Sequence, residues 1–209
     1  MLFSRGVILV EGDAEKFLVP VFAQSLGHDL DKLGISVCSV SGTNFAPYVK
    51  FLRALGIPFS VITDWDPLEN KQPLGANRAK ELTLLTPQEM TGEHDQLLRE
   101  LDTLIKNKEW DNFESKCDEY GIFTNGNTLE IDLIDDFLKQ LMYVLQENSW
   151  SKKRKEKIEK WTKDNTIPED EIEDYMYMLE SIGKGRFAQR LASYVVGMSP
   201  PGYIERAIE

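Results

Sequence analysis

The chain of 209 residues predicts an α/β fold, a mostly parallel sheet flanked by helices, and three observations carry that prediction. Short apolar runs alternate with segments of helical period through the first third, the order of βαβ units. The runs at residues 7–10 and 59–62 are largely apolar, as in strands covered on both faces. With 42% hydrophobic residues, the chain also has enough apolar side chain to fill a core between such layers.

Residues 7–10 (Val-Ile-Leu-Val) form the first strand, and Glu11-Gly12 punctuates it. Asp13 is placed to cap a helix over 14–26, where Phe17, Leu18, Val21, Phe22 and Ser25 keep a helical period. Residues 35–40 form a second strand, 41–44 a turn, and 45–55 a helix with Tyr48, Phe51, Leu52 and Leu55 on one side, closed by Gly56. A third strand at 59–63 runs into Asp64-Trp65-Asp66-Pro67. Residues 68–76, with Pro73 and Gly75, read as a loop, and 77–120 as helical, for example through Leu97, Leu98, Leu101, Leu104 and Ile105. Residues 121–124 look like a short strand and 125–127 a turn, with 128–133 leading into a helix that reaches about residue 147. Pro168 starts an acidic helix, residues 183–185 interrupt it, and a final helix runs over 186–196. The resulting organisation is a core at 1–137 that includes the helical segment 77–120, a helical insertion at 138–182, and a segment at 183–209 that returns to the core.

Composition narrows the classes. Cys38 and Cys117 are too few for a disulfide framework or a zinc knuckle, which suits a reducing cytoplasm. They read as core residues, and His28 and His94 as surface residues. No apolar run approaches the roughly 18 residues of a membrane span. The N-terminus enters a strand without a signal-peptide pattern, and no Walker A motif is present. The net charge of −11 repels nucleic acid at long range. Residues 152–163 oppose that trend, with seven basic and two acidic side chains. This cluster, with Trp150, Trp161, Arg186 and Arg190, is the candidate surface for DNA, although a solvated helix with Glu–Lys pairs explains it equally simply.

The acids fall into three groups. Glu11 and Glu15 span a strand-to-helix junction, Asp64 and Asp66 follow the third strand, and Glu130 and Asp132 form a Glu-x-Asp pair. Each pair by itself also suits a solvated helix face, a turn or a helix-start charge. Their joint placement points further. In parallel sheets ligands bind beyond the carboxyl ends of the strands, where Glu11, Asp64 and Asp66 lie. Clustered carboxylates are the donors that Mg²⁺ prefers, and two such ions about 3.5–4 Å apart can stabilise the attacking and leaving oxygens of phosphoryl transfer.

Here a resemblance becomes specific. The string from Val7 to Lys16 resembles the opening glutamate motif of Toprim domains, whose fold is Rossmann-like, and residues 60–66 resemble their Asp-x-Asp motif. Gly12-Asp13-Ala14-Glu15, the serine-glycine step at 40–45, the acidic motif at 129–133 and the Gly183-Lys184-Gly185 segment are similar to the OLD (overcoming lysogenization defect) family in particular. The resemblance implies a metal-dependent DNA endonuclease working by two-metal phosphodiester hydrolysis. Glu11, Asp64 and Asp66 would surround one Mg²⁺ or Mn²⁺, and Glu15, Glu130 and Asp132 would serve a second. Lys184 would offset charge on the scissile phosphate. It also implies a role in phage defence, an N-terminal ABC-type ATPase elsewhere in a longer protein, and a possible helicase partner. The alternatives are a non-catalytic Toprim binding module, or a primase- or topoisomerase-like enzyme. Tyr175 and Tyr177 suit packing or surface roles better than that of a topoisomerase nucleophile.

Overall fold

The computed structural model describes residues 3–85 and 91–209; residues 86–90 of the expected helical segment lie outside the described residues, as do the first two of the chain. Among the described residues, four strands form one all-parallel sheet: β1 (Gly6–Val10), β2 (Ile35–Ser39), β3 (Phe59–Thr63) and β4 (Ile122–Thr124), in the order β2-β1-β3-β4. Val10 pairs with Ser39 on one side and Ile62 on the other, and Thr63 pairs with Thr124. All four carboxyl ends therefore share one edge. The chain leaves β1 for β2 on one side and crosses to β3 on the other. That reversal makes the β1/β3 boundary the topological switch point, where a crevice opens.

Helix α1 (Asp13–Ser25) and the short α2 (Leu30–Leu33) connect β1 to β2, and α3 (Ala46–Ala54) connects β2 to β3. Between β3 and β4 come α4 (Leu74–Leu84), α5 (Thr91–Asn107) and α6 (Trp110–Asp118). After β4 follow α7 (Leu129–Gln146), α8 (Lys152–Asp164), a 3₁₀ turn at Glu169–Glu171, α9 (Ile172–Ile182), α10 (Lys184–Tyr194) and α11 (Gly202–Ile208). The period of two along each strand splits the apolar side chains between two layers. Ile8, Val10, Ile62 and Phe123 join a core with α1, α7, α9, α10 and α11. Val7, Leu9, Val61 and Ile122 join a second core with α3, α4, α5 and α6. Phe22, Phe45, Phe113, Phe137, Trp161 and Tyr175 are fully buried, each stabilising the fold by about 1.5–3 kcal/mol through burial.

Several boundaries differ from the sequence expectation for physical reasons. The N-cap of α1 is Gly12 rather than Asp13, and the side chain of Glu15 accepts the Gly12 N–H at 3.1 Å. Helix α4 begins inside the expected loop. Helix α10 starts at Lys184 itself and ends at Tyr194, and α11 follows the two prolines. Trp161 is fully buried and cannot stack on a base. Cys117 is buried, Cys38 half-buried, His94 exposed and His28 half-buried. Among the described residues, no helix is long and apolar enough to cross a membrane.

Candidate metal centre

The acids meet at the switch point. Glu11 follows β1 directly, and one carboxylate oxygen accepts three donors from the β3 side: the Thr63 hydroxyl, the Asp64 N–H at 2.9 Å and the Arg78 guanidinium at 3.1 Å. The carboxylate is thus pinned across the β1/β3 boundary. Arg78, on α4, also donates through Nε to Thr63 Oγ1 at 2.6 Å, and through Nη2 to the Asp64 carbonyl at 2.5 Å and Asp66 Oδ2 at 2.8 Å. Helix α4 reaches this position because Gly75 lies against the turn. A Cβ there would stand 2.3 Å from the Asp64 carbonyl oxygen and 2.6 Å from that of Trp65, closer than any side chain tolerates.

Asp64 is held from the far side. Register places Asn125 beside it, one residue past the Thr63–Thr124 pair. The Asn125 amide donates to Asp64 Oδ1 and its Oδ1 accepts the Trp65 N–H at 2.7 Å, so one buried side chain fixes the whole turn. Asp64 Oδ1 also accepts the Leu129 N–H at 3.3 Å, at the positive end of α7. Glu130, in the first turn of α7, is 5% exposed and pairs with Lys184 Nζ at 3.2 Å. The buried Tyr175 hydroxyl on α9 donates to the Glu130 carbonyl at 3.1 Å, a packing role rather than a nucleophilic one. Lys184 reaches Glu130 because α10 lies on the first turn of α1, where Gly185 would bring a Cβ within 3.0 Å of Asp13 Cβ.

Burial pushes the Glu15 carboxyl up to about 7, reinforced by the charges of Glu130 and Glu11. Burial and the neighbouring charges of Glu11, Glu15 and Glu130 push the Asp64 carboxyl up to about 8. Burial would lower the Lys184 ammonium, but Glu130, Asp64 and Glu15 outweigh it and hold it above its ordinary value. Glu11, Glu15, Asp64 and Glu130 thus form one electrostatic unit drawn from three separate segments.

Asp66 joins this unit through Arg78, and Asp132 stands apart. Two residues beyond Glu130 on a helix, Asp132 faces another direction, and its Oδ2 accepts the Gly126 N–H at 2.7 Å. It braces the turn that carries Asn125. Arg78, Asn125 and Tyr203 also reach the site, and no local sequence pattern marks them. The last is a buried phenol on α11 in the field of Asp132, Glu15 and Asp64. Asn125 looked like an ordinary turn residue, and only the register of β4 beside β3 reveals it.

The donor set fits a hard divalent cation. Its groups are all oxygen, they line one edge, and burial with the neighbouring acids pushes two of its carboxyls up, Glu15 to about 7 and Asp64 to about 8. Among the described residues, no three acidic, His or Cys side chains stand close enough to cage an ion with the side chains as placed. Arg78 and Asn125 engage the carboxylates that would do so. The basic cluster is partly committed to the fold: Lys157 pairs with Glu171 and Asp174, and Arg154 lies over the Tyr177 ring at 4.5 Å. Lys153, Lys155, Lys160 and Lys163 are exposed, whereas Arg190 donates to Asn148 at 2.9 Å.

Comparison with known proteins follows the same lines. Residues 2–66 match the family described as overcoming lysogenization defect protein-like, TOPRIM domain. The fold is similar to the C-terminal region of the Burkholderia pseudomallei OLD protein, with a TM-score of 0.79 and 40% identity over 99% of this chain and 96% of that one. It is similar as well to the iodine-phased C-terminal region of the Xanthomonas campestris pv. campestris OLD protein, with a TM-score of 0.77 and 38% identity over 100% and 94% of the two chains. A 70-residue stretch is 37% identical to the uncharacterized protein YbjD of Escherichia coli K12, covering 34% of this chain and 13% of that protein.

Proposed function

The chain belongs to the OLD family as its C-terminal Toprim region, and from that premise we propose that it is a Mg²⁺- or Mn²⁺-dependent DNA endonuclease. The observation that carries the proposal is the convergence of Glu11, Glu15, Asp64 and Glu130 at the switch point, where burial and like charge push the Glu15 and Asp64 carboxyls up. Glu11, Asp64 and Asp66 would hold one ion, and Glu15 and Glu130 a second, while Asp132, turned to the Gly126 N–H, stays outside the set. Ions held there supply Lewis-acid charge at the attacking and leaving oxygens of a phosphodiester. Asn125 orients Asp64, and Thr63 with the Asp64 N–H orients Glu11, so both carboxylates are set before any ligand arrives. The Lys184 side chain, 44% exposed, can turn its ammonium from Glu130 toward a phosphate at the crevice mouth and offset charge as it builds.

The net charge of −11 argues that this region grips DNA weakly by itself. We assign the rest of the hold to the exposed lysines of α8 and to an N-terminal ATPase region of the full-length protein. Nicking of supercoiled plasmid in Mn²⁺ by the wild-type chain, Glu11→Ala and Lys184→Ala tests the proposal. The wild type nicks and both variants lose nicking while keeping the wild-type circular dichroism spectrum. Unchanged nicking by both variants rejects the assignment.

A further inference from the structure

We infer that Arg78 is an internal counter-cation that occupies the Glu11–Asp66 position until a divalent ion displaces it, so that it sets the ion concentration at which the site fills. The inference rests on the metal-centre reading above. One nitrogen, Arg78 Nη2, stands 2.5 Å from the Asp64 carbonyl oxygen, 2.8 Å from Asp66 Oδ2 and 3.1 Å from Glu11 Oε1. A cation thus already sits among oxygens from all three residues of the Glu11/Asp-x-Asp set. An ion closing on these same oxygens at the roughly 2.0–2.1 Å that Mg²⁺ demands would stand against the guanidinium, and the two cations repel.

The placement is built in. Gly75 brings α4 against the turn, and Arg78 lies one helical turn further along α4. Its Nε bond to Thr63 Oγ1 aims the planar fork at the acids, and its side chain is 13% exposed. A guanidinium stays charged at any working pH, so it neutralises Glu11 and Asp66 where a titrating group would not. An ion and Arg78 therefore compete for the same oxygens, and by linkage each weakens the other's hold by the same factor.

Arg78→Met keeps the aliphatic stem and removes the guanidinium. Mn²⁺ binding at about pH 7.5, read from the electron paramagnetic resonance signal of the free ion, is expected to be about ten- to a hundredfold tighter in R78M than in the wild type. Lys80→Met removes a charge from the same helix, where Lys80 pairs with Asp102 at 2.7 Å, and should leave the affinity unchanged. Equal or weaker binding by R78M overturns the inference and leaves the metal centre standing. Failure of both wild type and R78M to bind Mn²⁺ overturns the metal-centre reading and this inference with it. In the wild-type chain, a Mg²⁺ titration followed through the Arg78 Nε–H nuclear magnetic resonance signal gives an independent readout if R78M does not fold. Release from Thr63 shifts that signal and speeds its exchange with water; an Nε–H unchanged at saturating Mg²⁺ overturns the displacement.

Discussion

Replacing Glu15 by Gln isolates what the acid cluster costs the fold. Glu15 is 7% exposed, and its carboxyl is raised from 4.5 to about 7. An acid whose folded pKa lies above its unfolded value is bound more tightly by its proton in the native state. The fold then loses stability as pH rises from about 4.5 to about 7, and stays at the lower level above that window. At 1.36 kcal/mol per pKa unit, a rise of this size is on the order of 3 kcal/mol. Gln does not ionise, and its carbonyl oxygen can still accept the Gly12 N–H. E15Q and wild type should therefore have similar stability at pH 4.5. At pH 8 without metal the variant should be more stable by on the order of 3 kcal/mol, or about 6–12 °C in Tm for a chain of this length. Losing the Glu15 charge also relieves Asp64, which acts in the same direction. Thermal and urea unfolding in EDTA at several pH values measures the gap. A gap that does not widen with pH, or a variant less stable than wild type at pH 8, refutes the electrostatic account.

Two other variants probe separate parts of the structure. Gly75→Ala forces a Cβ to within 2.3 Å of the Asp64 carbonyl oxygen, and should cost about 3 kcal/mol or more in urea unfolding, outweighing the roughly 1 kcal/mol by which Ala favours a helix. A Gly75→Ala chain with wild-type stability would mean that α4 does not press on this turn. Charge reversal at Lys153, Lys155 and Lys160 to Glu should weaken DNA binding and flatten its dependence on salt, measured by fluorescence anisotropy. An unchanged salt slope would remove α8 from the DNA surface.

The first third of the fold was legible because its signals are local. The apolar runs and helical periods from β1 to β3 fix the order of elements, and the parallel arrangement then dictates that Glu11 and Asp64 lie together. The remainder depends on contacts between segments far apart in sequence. Nothing around Arg78 marks it as a partner of Glu11, 67 positions away in the same chain. Asn125 carries the pattern of a turn, and becomes a site residue only through the register of β4. Glu130 and Asp132 looked like one motif, but a helical advance of two residues turns them to different partners. Trp161 was masked by the charge around it: with Ile158 three residues earlier it forms the buried face of a helix whose other faces are basic. Helix α11 was hidden by Pro200-Pro201, which resemble an ending but here precede a helix start.

The acids gathered at the β1/β3 switch point are proposed to form a divalent metal centre. Anomalous diffraction from crystals soaked in Mn²⁺ tests it most directly. A peak bounded by Glu11, Asp64 and Asp66, with the Arg78 guanidinium moved away, and a second peak near Glu15 and Glu130 are expected. A well-ordered cluster with no anomalous peak at millimolar Mn²⁺, and with Arg78 still bonded to Glu11 and Asp66, would contradict it.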